Sequence, residues 1–214
     1  MIILAHRGYW KKLSERNTEE ALKKAFVKGY GIESDIRDYD GKLVISHDPA
    51  NKNCMPAEEL FKELAKYNNK LCFAINIKAD GLGEELSKLL KKNNITNYFC
   101  FDMSVPQMIY YCENNFNVFA RQSEYESEPL SLYKESQGVW IDAFYDDSWI
   151  TEELISKHIK NGKKICLVSP ELHSFPYLEF WKKLKSFDID YSKIILCTDV
   201  PDEANEFFNK ELIG

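Results

Sequence analysis

The 214 residues are 44% hydrophobic and 29% charged, a balance that excludes a disordered or fibrous chain and allows one domain with a large apolar core. A formal net charge of −6 argues against a nucleic-acid binder, which needs clustered Lys and Arg, but permits a small anion at one local positive site. No run approaches the roughly 18 apolar residues of a membrane span, and Met1-Ile-Ile-Leu-Ala-His6 meets charge too soon for a signal-peptide core, so a cytoplasmic protein with no stable membrane insertion is expected.

Short apolar runs alternate with helical patterns along the whole chain. The first run, Ile2 to Ala5, ends on His6-Arg7. Asn17-Thr18-Glu19-Glu20 resembles a capping box ahead of Ala21, Leu22, Ala25 and Phe26, which share one helical face. The second run, Gly31 to Ile36, is followed by Asp40-Gly41, a hairpin turn signal. Lys42 to Ser46 then forms an extra strand that returns His47 towards the end of the second run. Pro56 opens a helix with Leu60, Phe61 and Leu64, and the third run is Leu71 to Ile77. Leu82, Leu86, Leu89 and Leu90 mark the next helix, before Tyr98 to Phe101.

Two weaker helices are expected after Val105 and after Pro129, around the runs Asn117 to Ala120 and Gly138 to Ile141. Thr151 caps a helix that ends near Gly162, ahead of Lys164 to Val168. Pro176 precedes Leu178, Trp181 and Leu184; then come Lys193 to Cys197 and a last helix after Pro201. Eight βα repeats without a linker or a glycine-rich phosphate loop predict a (β/α)8 TIM barrel with a small hairpin insertion after strand 2, not an open doubly wound sheet. The six cysteines show no metal or disulfide spacing and read as buried free thiols.

In such a barrel chemistry sits at the C-terminal strand ends. There lie His6 and Arg7, Glu33 and Asp35, Asn76 and Lys78, Arg121, Asp142, Ser169 and Glu171, and Thr198 and Asp199. Glu33 and Asp35 are two apart and so share one face of a strand, where two buried carboxylates would repel unless a cation or protons neutralised them; a hard divalent ion is the economical explanation. On the same logic Asn76 offers a carbonyl oxygen to the ion and Lys78 its charge to a phosphate. His6 and His47 are the groups able to move protons near neutral pH, one taking a proton from an attacking oxygen and the other giving one to a leaving oxygen. His158 falls on an apolar helical stripe and reads as packed. His173 is open between site and loop, and Asp142 and Asp199 could equally be caps or turn acceptors. Tyr9 and Trp10 are candidates to line a leaving-group pocket.

His6-Arg7-Gly8, Asn17-Thr18, Glu33-Ser-Asp35, Asp40-Gly41, His47-Asp48 and Thr198-Asp199-Val-Pro201 together resemble the glycerophosphodiester phosphodiesterases, within the phosphatidylinositol-phospholipase-C-like barrels. The resemblance is specific over Met1 to Asp48 and looser beyond. It implies that residues 1–214 form a single phosphodiesterase-like domain acting on a small phosphodiester with a divalent cation (Mg2+ or Ca2+). His6 and His47 would be acid and base, Glu33 and Asp35 metal ligands, and Arg7 and Arg121 substrate-binding residues beside Lys78. Two positions depart from the pattern: Arg16 stands before Asn17-Thr18 where the family has Glu, and Asn76 stands where it has a third acidic ligand. Weaker metal binding, or compensation by Glu171, is the expected consequence. A lyase-type enzyme that leaves a cyclic phosphate, and a barrel that only binds a phosphorylated ligand, use the same residues. Neither the alcohols of the substrate nor the oligomeric state follows from the sequence.

Overall fold

A computed structural model describes residues 1–209. The fold is α/β: parallel strands in βα order, in two compact units. One unit spans Leu4 to Val118, and the other comprises residues 1–3 with the chain from Phe119 onward. They are described one at a time.

In the unit from Leu4 to Val118, β1 (Ile2–His6), β2 (Gly31–Tyr39), β5 (Phe73–Ile77) and β6 (Tyr98–Phe101) pair in parallel in that order. The register sets His6 beside Glu33 and Asp35 beside Asn76, so the polar strand ends are level with one another. The expected hairpin forms: β2 pairs antiparallel with β3 (Lys42–Ile45), and Asp40 and Gly41 both take positive φ, 49° and 71°, as a tight turn between right-twisted strands requires. The Ser46 N–H donates to the Asp35 carbonyl at 3.0 Å, which brings the following His47 back to the end of β2. A two-residue β4 (Met55–Pro56) extends the hairpin side.

Helices α1 (Glu19–Val27), α2 (Ala57–Ala65), α3 (Gly83–Lys92) and α4 (Val105–Glu113) cover these strands. α1 and α2 bury the apolar stripes read from their spacing, Ala21, Leu22, Ala25 and Phe26 on α1 and Leu60, Phe61 and Leu64 on α2, while α3 buries Leu86 and Leu90 and leaves Leu89 partly exposed. The Phe61 ring meets Phe73 edge-on at 5.6 Å. Burial of side chains of this size contributes about 1.5–3 kcal/mol apiece. The Thr18 hydroxyl caps α1 by accepting from Ala21 N–H.

The other unit pairs β7 (Phe119–Gln122), β8 (Gly138–Ile141), β9 (Lys164–Val168) and β10 (Ile194–Thr198) in parallel, with α5 (Glu152–Lys160), α6 (Leu178–Lys185) and α7 (Pro201–Asn209) between and after them. Four parallel strands in each unit account for the eight anticipated runs. The helix expected after Pro129 does not form. Leu132 takes a left-handed φ of 50°, and the carbonyls of Lys134 and Ser136 accept from the buried Lys163 ammonium instead of from a helical ladder. Cys72, Cys100, Cys166 and Cys197 are buried, Cys54 and Cys112 are partly so, and all six are free thiols. Among the described residues no helix is long and apolar enough to cross a membrane.

Candidate active site

The C-terminal ends of β1, β2 and β5 carry a buried polar cluster. His6 closes β1, and the chain turns at once through Arg7 and Gly8, both at positive φ (55° and 93°). The turn is held by Arg7 N–H donating to the Glu33 carbonyl at 2.9 Å. Only glycine fits the second position, because a Cβ there would come within 2.7 Å of the Ala21 backbone carbon on α1. The Arg7 side chain reaches Asp35, with Nε 3.0 Å from Oδ2.

Asn17, immediately before the α1 cap, ties the second strand to this turn. Its amide nitrogen donates to Asp35 Oδ2 at 2.9 Å, and its carbonyl oxygen accepts from the Ser34 hydroxyl at 2.8 Å. Lys78 stands between two acids: Nζ donates to Asp102 Oδ2 at 3.0 Å and lies 3.7 Å from Asp35 Oδ1. Glu33 is almost fully enclosed. Its Oε1 accepts from the Asn76 amide at 3.2 Å, and its Oε2 lies 3.8 Å from His6 Nε2. Burial, reinforced by the Asp35 charge and opposed by Arg7 and Lys78, pushes the Glu33 carboxyl up to about 8.

Two features bear on a metal. Glu33 Oε2, Asp35 Oδ1 and Asn76 Oδ1 are buried oxygens with no hydrogen-bond donor. Three hard oxygen donors on adjacent strands fit a divalent cation such as Mg2+ or Ca2+. The set is a weak one, however, since it has two carboxylates and one neutral amide, and Arg7 and Lys78 already compensate Asp35. Among the described residues no group of three or more His, Cys, Asp or Glu is arranged to hold a metal. Repulsion between Glu33 and Asp35 therefore does not by itself require a cation, as two basic side chains stand beside them.

His47 sits in the loop after β3, half exposed, with Nδ1 2.9 Å from Asp48 Oδ1. A carboxylate can only accept, so Nδ1 is the donor in this contact, and in the neutral imidazole the lone pair is then on Nε2. The same contact holds Asp48 below the usual carboxylate range. A cavity of about 630 Å3 opens beside it, lined by Arg7, Arg16, Asn17, Ser46, His47 and Asp48 among others.

Within the other unit the remaining candidates form two groups. Arg121 on β7 lies 2.9 Å from Glu126 and 3.6 Å from Asp142, and its guanidinium stacks over Phe144. His173 Nε2 is 2.7 Å from Asp142 Oδ1, which holds the imidazole above its ordinary range. Glu171 accepts from the Thr198 hydroxyl, from the Ser169 hydroxyl at 2.5 Å and from Asp199 N–H at 3.1 Å. Burial raises its carboxyl, and these bonds oppose the rise. His158 is packed, between Gln122 and Tyr133 at 2.8 Å each, and burial lowers its pKa.

The His173 contact predicts a pH-dependent stability. A pKa raised in the folded state contributes fully below the unfolded value of about 6.5 and is lost as pH rises through the folded one. His173→Gln is expected to cost about 1 kcal/mol at pH 5.5 and less at pH 8.5; urea melts at the two pH values check this, and an equal loss at both would refute it.

Asn17, Ser34 and Asp102 are parts of the cluster that strand-end reasoning passed over. Asp102 follows β6 directly, so the same rule applied to the fourth strand finds it. Asn17 and Ser34 leave no such signal, because their contact depends on how α1 packs on β2. Tyr9 carries Lys24 and Lys28 over its ring, and Trp10 carries Arg16.

No protein-family model matches the chain, and no curated protein does. Solved structures do match. A glycerophosphodiester phosphodiesterase from Agrobacterium tumefaciens is 17% identical at a TM-score of 0.65, covering 94% of this chain and 97% of that one. An Oleispira antarctica phosphodiesterase, solved in complex with the product sn-glycerol-3-phosphate, is 15% identical at a TM-score of 0.71, covering 98% and 97%. A glycerophosphoryl diester phosphodiesterase from Parabacteroides distasonis is 14% identical at 0.68, covering 96% and 85%. The chain shares the fold of these proteins over nearly its full length, in agreement with the family that its His6-Arg7-Gly8 and Glu33-Ser-Asp35 segments resemble.

Proposed function

We propose that the protein hydrolyses a small phosphodiester of the glycerophosphodiester type, releasing an alcohol and a phosphomonoester. The observation that carries this reading is the trio of buried, donorless oxygens on Glu33, Asp35 and Asn76, set among His6, Arg7 and Lys78. The names of the structures that share the fold support the same reaction class.

Arg7 keeps its terminal guanidinium nitrogens for a phosphoryl oxygen while Nε faces Asp35. Lys78, fixed by Asp102, adds a second positive charge. His47, with Asp48 on Nδ1, takes a proton from water through Nε2 as the water oxygen bonds to phosphorus. The bond from phosphorus to the leaving alcohol oxygen breaks, and His6 donates the proton that oxygen needs. Glu33 Oε2 lies 3.8 Å from His6 Nε2 at the strand end. A divalent cation held by Glu33, Asp35 and Asn76 would supply Lewis-acid polarisation of the phosphoryl group.

The test is turnover of bis(p-nitrophenyl) phosphate and of a glycerophosphodiester panel with Mg2+, Ca2+ or Mn2+, with products followed by phosphorus NMR. Release of a phosphomonoester is expected. A persistent cyclic phosphate would replace hydrolysis by a lyase reaction, and thermal protection by a phosphodiester without turnover in any metal would reduce the protein to a binder.

Asn76→Glu is expected to tighten Mg2+ or Ca2+ binding on the order of tenfold by restoring a third carboxylate. Calorimetric titration checks this, and an unchanged isotherm would put residue 76 outside the ion's shell.

A further inference from the structure

The two oxygens of the Asp35 carboxylate are in different situations. Oδ2 accepts from the Asn17 amide and faces Arg7 Nε, whereas Oδ1 is buried and has no hydrogen-bond donor. The Lys78 ammonium stands 3.7 Å from Oδ1, just beyond hydrogen-bond reach, and 3.0 Å from Asp102 Oδ2. A flexible lysine stem would let the ammonium close that gap to a buried carboxylate unless another group held it back. Asp102 does so from the neighbouring strand. The parallel register sets Asn76 on β5 beside Phe101 on β6, so Asp102 follows β6 directly, as Lys78 follows β5. The Asp102 backbone takes φ 68°, a left-handed conformation that persists at a residue with a side chain only where the surroundings impose it. The two loops that leave these strands are stapled together: the Ser104 hydroxyl donates to Asp80 Oδ1, and Gly81 N–H donates to Gln107 Oε1, both at 2.9 Å. The Asp102 carboxylate is therefore held in a fixed place relative to Lys78.

We infer that Asp102 is a positioning residue that keeps the cation site open: by drawing Lys78 to itself, it leaves Asp35 Oδ1 to a divalent ion. The inference rests on the reading above of Glu33, Asp35 and Asn76 as the cation site of a phosphodiesterase. With the Asp102 carboxylate removed, Lys78 moves onto Asp35 Oδ1. That oxygen then accepts an N–H in place of a metal bond, and a positive charge stands closer to the incoming ion.

Calorimetric titration of the whole protein with Mg2+, Ca2+ or Mn2+ alone tests this without substrate. Asp102→Gly, which suits a positive φ, is expected to weaken ion binding on the order of tenfold. Asp102→Asn keeps a carbonyl acceptor for Lys78 and should weaken it less. In a Lys78→Met background, Asp102→Gly is expected to change the dissociation constant by no more than about twofold, because no ammonium remains to move onto Asp35. A misfolded fraction lowers the stoichiometry and leaves the constant unchanged, so the comparison survives a loss of folding. Wild-type affinity in Asp102→Gly overturns the inference. So does a loss in the Lys78→Met background as large as that with Lys78 in place, since Asp102 would then act through its own charge. Failure of the wild-type protein to bind any of the three ions also overturns it. Ion binding with the expected pattern but no turnover of any diester supports the role of Asp102 while the reaction reading fails.

Discussion

His6→Ala and His47→Ala are each expected to lower kcat/KM by roughly 10²–10⁴-fold, the usual worth of one positioned acid or base. Stability should change little, since neither imidazole fills the apolar core: His47 is half exposed, and His6 faces Glu33 at the strand end. The two losses should not multiply, because proton removal and proton delivery serve one displacement. Steady-state kinetics on a glycerophosphodiester, with chemical denaturation as the folding control, provide the check. Near wild-type rates in either variant would remove that residue from the mechanism.

Asp35→Ala is expected to cause the largest loss of stability, about 3–5 kcal/mol, the range for breaking a buried ion pair by removing one partner. Asp35 has no solvent exposure, and three groups lean on it: Arg7, Lys78 and the Asn17 amide. Without the carboxylate, the Arg7 charge remains against the β2 end, and the Asn17 link from α1 to that strand loses its acceptor. Asp35→Asn should cost less, since a carbonyl can still accept from Asn17. Urea denaturation of the two variants tests this, and a loss below about 1 kcal/mol for the alanine variant would mean that Asp35 does not organise the cluster. The same substitution should bring the Glu33 carboxyl down from its raised value, because the Asp35 charge is the second cause of the rise after burial.

Much of the scaffold was legible because its signals are local. The α1 cap at Thr18, the Asp40-Gly41 turn and the apolar stripes of α1 and α2 each depend on residues within a few positions of one another. Period-two alternation brought Glu33 with Asp35 and Asn76 with Lys78, and the parallel register then set the two pairs side by side. The segment after Pro129 read as a helix and is not one. In the structure Leu132 takes a left-handed φ of 50°, and the carbonyls of Lys134 and Ser136 accept from the Lys163 ammonium, 29 and 27 positions away.

Charge compensation was the least legible part. Two acids on one strand face imply a need for positive charge, but not its source. The sequence nominated a cation. The tertiary structure adds Arg7 and Lys78, and still leaves three oxygens without donors.

The sequence by itself determined the order and kind of the elements, the residues at the strand ends, and the chemical class of group that could act there, because backbone preference and side-chain periodicity operate over one or two turns of chain. Only the tertiary structure decided which partner each polar group takes. Asn17 bridges Ser34 and Asp35, Asp102 anchors Lys78, Asp142 takes His173, and Arg16 lies over Trp10. Electrostatic and hydrogen-bond energies depend on separations of a few ångströms, and most of these partners are brought together only when elements distant in the chain pack against one another.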